Sequence, residues 1–407
     1  MHLYTPYFIA RRLHQAPKKG FTKIVYQIGV ISVALGLATT LIAFLTMQGF
    51  QQNIEQKLTD LSGHLQVTQY SINRSYEEAP LEKQQLQGLK QACTSAIKTT
   101  KAFAYKPLLL KAAEDVEGIV CKGLDPEVAH DNLHTYLTAG QPIAFTQKGY
   151  NQDILLSTQT AKRLRIQVGD EVVACVVQHP PRYRKLRVVG LYSTHIAELD
   201  EKLAFCDLRL VQRFNNWSDN FVGGYEVFLH NSQQTKATAD QLRAWLDYDV
   251  EVKTTASAHA AIFDWLAIIR KNALIFMVLI TLVASSNLAS IALIQMMERT
   301  SMIGILKTIG ASEKQIQRIM LWNNLYMVGQ GMLWGNLVGI GLCALQRHYK
   351  LIPLDATYYY TNHVPIAWDW SIVLGLNLLS LATVTTVLLV SIAIIVKIRP
   401  IRAIQLR

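Results

Sequence analysis

Residues 24–47 carry no charged side chain and are rich in Ile, Val, Ala and Leu. At about 1.5 Å per helical residue, such a run crosses a hydrocarbon core of about 30 Å. It is too long for a signal-peptide core and has no A-x-A cleavage site, so it is expected to stay in the membrane. Three further apolar runs follow at residues 273–297, 319–345 and 371–396. A polar stretch separates the first run from the second. The chain of 407 residues is 50% hydrophobic with a mean hydropathy of +0.17. That value is high for a soluble domain and low for a chain made only of membrane helices. A few spans plus one sizeable polar domain fit it.

Charge placement predicts the orientation. Arg11, Arg12, Lys18, Lys19 and Lys23 precede the first run, and Arg299, Lys307, Lys314 and Arg318 follow the second. Lys397, Arg399, Arg402 and Arg407 close the chain. The loop between the third and fourth runs has only Arg347 and Lys350, set against Asp355 and Asp369. By the positive-inside rule both termini are cytoplasmic and the polar domain lies outside. Arg270 and Lys271 oppose this unless they sit on a helical stalk clear of the bilayer. Tyr358, Tyr359, Tyr360, Trp368 and Trp370 suit an outer interfacial belt. The net charge of +11 is thus mostly membrane-flanking, which argues against nucleic acid as a partner.

The expected fold is an integral membrane α-helical protein of four transmembrane helices. A large α+β extracytoplasmic domain is inserted between the first and second. The parts are a cytoplasmic N-terminal segment (1–23), the first helix (24–47), the outer domain with helical stalks (48–264), and stalk plus second helix (265–297). Then come a cytoplasmic turn (298–318), the third helix (319–345), an outer loop (346–370), the fourth helix (371–396) and a cytoplasmic tail (397–407). Within the outer domain, Ser62-Gly63 should end a helical extension of the first span. Strands are expected at 64–70, 118–123, 172–177, 185–189, 203–208, 225–229 and 250–253. Helices are expected at 84–98 and 237–246, and a strand leading into a helix at 153–164. The mixture allows two subdomains.

Catalytic signals are missing. The sequence has no GxSxG, no HExxH and no G-x-x-x-x-G-K-[ST]. His64, His130, His134, His179 and His195 are scattered, and Glu198 with Asp200 forms no convincing pair. No catalytic, metal or cofactor residues are assigned. Without a phosphate-binding loop, ATP-driven work needs a partner subunit. Cys93, Cys121, Cys175, Cys206 and Cys343 form no CxxC motif. The first four fall in the domain placed outside, where disulfides are possible; small buried thiols are the other reading. Gly331, Gly335 and Gly339, four apart, offer a smooth strip for helix packing. Asn323, Asn324, Gln330 and Asn336 imply that this helix faces protein more than lipid.

The most informative stretch runs from Glu298 through Arg299, Ile303, Gly304, Ile305, Leu306, Lys307, Gly310 and Ala311. Met302, Ile305, Leu306 and Ile309 make an apolar face at helical spacing. Gly310 suits a left-handed cap, and Ser312 with Gln315 suits a capping box for the next helix. A soluble partner would grip such a short helix in a groove; a helix resting on lipid is the alternative. This stretch resembles the coupling-helix signature of the MacB/FtsX-like permease superfamily, close to E-R-x-x-E-I-G-I-L-K-A-x-G-A, with Met302 where many relatives carry an acidic residue. Within it the chain most resembles the LolC/LolE-type lipoprotein-releasing permeases. The likeness rests on Tyr7-Phe8-Ile9-Ala10-Arg11-Arg12, Met47-Gln48-Gly49-Phe50 and Gly63-His64-Leu65-Gln66-Val67. It continues through Val168-Gly169-Asp170, Val188-Val189-Gly190-Leu191-Tyr192, His363-Val364-Pro365-Ile366 and the tail from Pro400 to Arg407.

The resemblance implies a dimer with a second permease copy or paralogue, and ABC ATPase subunits below it that use ATP and Mg. No cofactor is then bound by this chain. A lipoprotein would enter from the outer leaflet of the bacterial inner membrane and leave toward a periplasmic carrier. FtsX-like control of cell-wall hydrolases and MacB-like mechanotransmission are the alternatives. Acyl chains need a broad apolar wall, which Phe44, Met47, Phe50, Phe263, Leu266 and Ile269 would supply. The segment around Pro180, Pro181 and Arg182 stands where such permeases carry a longer carrier-docking hairpin, and here it is short.

Overall fold

The computed structural model describes residues 21–71, 76, 79–86, 95–126, 128, 131–146, 149–178 and 180–397. The basic N-terminal segment up to residue 20, Cys93, His130, His179 and the tail beyond Lys397 lie outside the described residues. Among the described residues, four helices are long and apolar enough to cross a membrane by length and composition. They are α1 (Phe21–Ser62), α5 (Ala260–Glu298), α7 (Glu313–Tyr349) and α8 (Trp370–Lys397). Each contains one of the four apolar runs. Shorter helices include α2 (Thr158–Leu164), α3 (Leu208–Phe214), α4 (Thr235–Trp245) and α6 (Thr300–Thr308), beside several single-turn ones. Contacts divide the chain into two compact units, one of residues 1–51, 265–353 and 364–407, the other of residues 52–264 and 354–363.

In the helical unit the core gathers Val25 of α1, Leu288 and Ile291 of α5, Met320 and Met327 of α7, and Leu388 of α8. Polar side chains on these helices find one another rather than lipid. Asn323 Nδ2 donates to Gln295 Oε1 at 3.1 Å. Asn336 and Asn377 exchange amide hydrogen bonds at 2.7 and 2.9 Å. Tyr26 donates its hydroxyl hydrogen to Gln330 Oε1 at 2.9 Å. In an apolar medium an amide without a partner is expensive, so these pairs fix which helix faces meet.

The second unit is α+β. Its strands are β1 (Leu65–Gln69), β2 (Leu81–Glu82), β3 (Ile97–Ala112), β4 (Asp115–Leu124), β5 (Leu137–Gly140) and β6 (Asp153–Ser157). Then come β7 (Glu171–Val176), β8 (Arg182–Tyr192), β9 (Leu203–Asp207), β10 (Phe221–Val222), β11 (Gly224–Leu229) and β12 (Val250–Thr254). The main sheet runs β12-β1-β11-β3-β4-β9-β6-β8-β5, and β7 bridges β8 back to β3. Pairing therefore closes β3, β4, β9, β6, β8 and β7 into a six-stranded ring, while β11, β1 and β12 extend from β3 as an open wing. The ring's strands turn alternate residues into one core: Leu108 and Leu110, Ile119 and Cys121, Ile154 and Leu156, Val172 and Ala174, Ala204 and Cys206. The wing has its own core of Leu65, Val67, Val227, Val252 and Leu242 under α4.

The longest strand corrects the sequence reading. A helix was expected at 84–98. The structure has a single 3-10 turn at Lys83–Leu86 and begins β3 at Ile97; residues 87–94 lie outside the described residues. β3 lacks clean alternation and contains Pro107, both of which disguise a strand. The topology resolves this. One edge of β3 is paired by β11 as far as Phe103 and by β7 from Leu109, so residues 104–108 meet only β4. Pro107 falls in that gap, where a residue without an N–H is tolerated in a long strand.

Ring, wing and helix end meet at one buried charge. The Lys122 ammonium, on β4, donates to Glu226 on β11 and to the Leu61 carbonyl in the last turn of α1. It also lies 5.7 Å from the Phe103 ring centre. Both side chains are buried. Burial pushes the Glu226 carboxyl above its ordinary value, and the Lys122 charge works against that rise. Glu226→Ala is expected to cost about 3–5 kcal/mol by leaving Lys122 buried without a counter-charge. Replacing both, Lys122→Met with Glu226→Leu, should restore most of that loss. Denaturant unfolding of the purified chain checks both; equal destabilisation by the single and double changes would refute the pairing account.

Candidate functional site: the elbow between the second and third long helices

α5 ends at Glu298, and α6 starts after Arg299, whose backbone leaves helical geometry at φ −101° and ψ 14°. The turn is held by Thr300 Oγ1, which donates to the Met297 carbonyl at 2.7 Å. α6 ends as its sequence prescribes. Gly310 takes φ +93°, and the Ala311 N–H reaches back to the Leu306 carbonyl at 2.9 Å. Ser312 then opens α7 with a full capping box: Gln315 N donates to Ser312 Oγ, and Ser312 N to Gln315 Oε1 at 2.9 Å. Lys307 and Glu313 stand 3.7 Å apart across the turn. The elbow is therefore a short rigid element rather than a loose loop.

Its faces differ from the expected apolar stripe. Ile303 is buried in the helix core with Ile316 and Met320, and Met302 and Ala311 pack against that core. Leu306 and Lys307 are half-buried. Ile305 and Ile309, one turn apart, are 57% and 78% exposed, and Gly304, Thr308 and Gly310 lie open beside them. Spacing predicted a face of Met302, Ile305, Leu306 and Ile309. The structure turns its first residue inward and leaves the two isoleucines outward. Ile309, which its spacing had placed on that face with Ile305, is the more exposed of the pair. Glu298 is exposed, but Arg299 folds into the elbow, where its Nη1 is buried with no hydrogen-bond partner among the described residues.

The glycine strip lies against α1. A methyl group on Gly331 would stand 2.7 Å from Val33 Cβ. On Gly335 it would stand 2.8 Å from the Ala34 carbonyl oxygen, and on Gly339 3.1 Å from Ala38 Cα. Backbone atoms thus meet where no side chain fits. The residues assigned to an acyl wall are less uniform. Phe44 packs against Leu37, Leu41 and Leu376 in the helix core. Leu266 is buried, while Met47, Phe50, Phe263 and Ile269 are half-buried.

At the proposed docking tip, β7 and β8 form a plain antiparallel hairpin pairing Val176 with Arg182. Pro180 and Pro181 lie in its turn. Arg182 is not free: it donates to Asn216 Oδ1, and to the Arg213 carbonyl at 3.4 Å. Val177 and Tyr183 are the exposed apolar residues there. The histidines serve the framework: His64 Nδ1 accepts from Leu229 N at 3.1 Å, and His195 Nε2 lies 3.1 Å from Asn362 Nδ2.

The profile of the MacB-like periplasmic core domain family matches residues 28–245, and that of the FtsX-like permease C-terminal family matches residues 274–400. The chain belongs to the MacB/FtsX-like permease family. Its similarity runs nearly end to end with lipoprotein-releasing system transmembrane proteins. The LolC protein of Xylella fastidiosa (strain Temecula1) is 24% identical, covering 93% of this chain and 94% of that one. The LolE protein of Haemophilus influenzae is 22% identical, with 93% and 94% covered. Among solved structures, the periplasmic region of MacB from Actinobacillus actinomycetemcomitans covers 49% of this chain and 91% of that one. It does so at 14% identity and a TM-score of 0.35.

Gly335→Leu is expected to force α1 and α7 apart and lower the thermal unfolding midpoint of the detergent-purified chain, while the exposed-face change Leu337→Ala leaves it within a degree or so. Equal midpoints for the two variants would remove the close-packing account.

Proposed function

We propose that the chain is the permease subunit of an ABC-type lipoprotein-releasing transporter of the bacterial inner membrane. It works with a separate ATPase subunit and a second permease copy or paralogue. The observation that carries this reading is the elbow. A short capped helix, anchored inward by Ile303, presents Ile305 and Ile309 outward in the segment that carries the family's coupling signature. Exposed isoleucines on a rigid turn suit a groove on a soluble partner. Nucleotide-driven movement of that partner would press on α6 and so on the packed ends of α5 and α7. The basic flanks support an arrangement with four spans, both termini and the elbow in the cytoplasm, and the α+β domain outside.

The relatives named as lipoprotein-releasing proteins support the cargo class. Each buried CH₂ of an acyl chain contributes about 0.8 kcal/mol, so extraction needs an apolar path along the helices. Met47, Phe50 and Ile269 remain partly open for it, and Phe44 would have to leave its packing to join them. The basic, proline-stiffened hairpin tip supports carrier docking less well, because Arg182 is already engaged. The FtsX-like match favours one second reading, a regulator of periplasmic cell-wall hydrolases.

Depletion of the protein separates the two readings. Lipoproteins retained in the inner membrane are the expected outcome; normal release with altered septation would favour the regulator. Ile305→Asp combined with Ile309→Asp should leave the fold intact but abolish co-purification of the ATPase and lipoprotein release. These are cleaner probes than Leu306→Asp, which would also disturb a half-buried position. Undiminished release by the double variant would sink the docking role of α6.

A further inference from the structure

Cys121 and Cys206 meet inside the ring. They lie on β4 and β9, neighbouring parallel strands in which Cys121 is in register with Ala204 and Cys206 with Gly123. Each cysteine turns to the same core as the residue two places before it, Ile119 and Ala204. Both are thiols in this structure, both fully buried, and their sulfurs are 2.7 Å apart. Unbonded sulfurs do not pack so closely, and a disulfide spans about 2.05 Å. Cys175 offers no rival: it stands on β7 opposite Leu109 and Tyr183.

We propose that Cys121 and Cys206 are joined by a disulfide bond in the mature protein. This rests on the reading that the α+β domain lies outside the cytoplasm, where disulfides persist. The reaction is thiol–disulfide exchange with a disulfide-bearing oxidant of that compartment. Two S–H bonds of the chain are lost and one S–S bond forms; the oxidant's S–S bond takes up the two electrons and two protons and leaves as two thiols. Timing follows from burial. The Cys206 thiol is pushed well above its ordinary value by desolvation, then by its Cys121 partner and Asp207, and both sulfurs are closed off from any bulky oxidant once the ring has formed. Oxidation therefore belongs to the emerging chain, before β4 and β9 pair. Afterwards the same burial slows reduction of the folded chain, which becomes rapid only when the ring opens on heating. The bond links positions 85 apart in sequence across a parallel pair, a long-range contact that is slow to form and costly in chain entropy.

The test uses the full chain in cells. Free thiols are blocked with N-ethylmaleimide in acid-quenched, denatured, unreduced protein. The sample is then reduced, labelled with iodoacetamide and read by peptide mass spectrometry. Cys121 and Cys206 are expected to carry the second label and Cys175 and Cys343 the first. An unreduced digest should contain the cross-linked peptide pair, lighter by two hydrogens than the free thiols. Reductant should lower the thermal unfolding midpoint of the unaltered chain by roughly 10 °C and leave that of the Cys121→Ala Cys206→Ala variant unmoved. First label on both cysteines, or a cross-link from either to Cys93, overturns the proposal. Protease added to spheroplasts tells the two failures apart. If the domain is cleaved and both cysteines are free, the disulfide alone is wrong. If the domain is protected, the assignment of its compartment is wrong and the disulfide falls with it.

Discussion

A single ammonium group inside the α+β unit sets the relation of its parts. Lys122 belongs to the ring, Glu226 to the wing, and Leu61 to the last turn of the first long helix. A lysine taken out of water requires a counter-charge and acceptors within hydrogen-bond reach, and each of these three elements supplies a share. The β11–β3 ladder sets the register of wing on ring, and the ion pair with its third acceptor ties the end of the first long helix to both. β3 is shared by ring and wing and gives the pair its frame, with the Phe103 ring beside the ammonium.

The helical unit solves a different problem with the same logic. Lipid gives helices little hydrophobic reason to choose one face over another. Choice comes from shape and from polar atoms that need partners. Gly331, Gly335 and Gly339 admit the backbone of α1, and the Asn336–Asn377 and Asn323–Gln295 bonds fix α7 against α8 and α5. The elbow inherits this rigidity through Ile303, which shares a core with Val25, Ile316 and Leu388. A lever must be stiff to carry force, and in the proposed transport cycle the stiffness of α6 comes from that anchor and from the caps at Gly310 and Ser312.

Local chemistry made part of this readable in advance. Gly310 and the Ser312–Gln315 box act within four residues, so the sequence alone specifies them. The long charge-free runs lie within long helices because backbone hydrogen bonds must close inside each segment wherever water is absent. The polar residues of the third run pointed to protein contacts for the same reason. The strands with period-two alternation, such as β7 and β11, were visible too. β3 was hidden because its partners lie far along the chain, and only their staggered edges make room for Pro107.

What the sequence by itself determined is the set of elements whose causes are local: apolar length, caps and alternation. Tertiary structure decided which faces those elements turn inward. It sent Ile303 to the core and left Ile305 and Ile309 outside, engaged Arg182 with Asn216, packed Phe44 among Leu37, Leu41 and Leu376, and brought Cys121 to Cys206. The reason is range. A cap or an alternation is fixed by neighbours a few residues away. Burial, ion pairing and the meeting of two sulfurs depend on strands and helices that find each other only when the whole unit has closed.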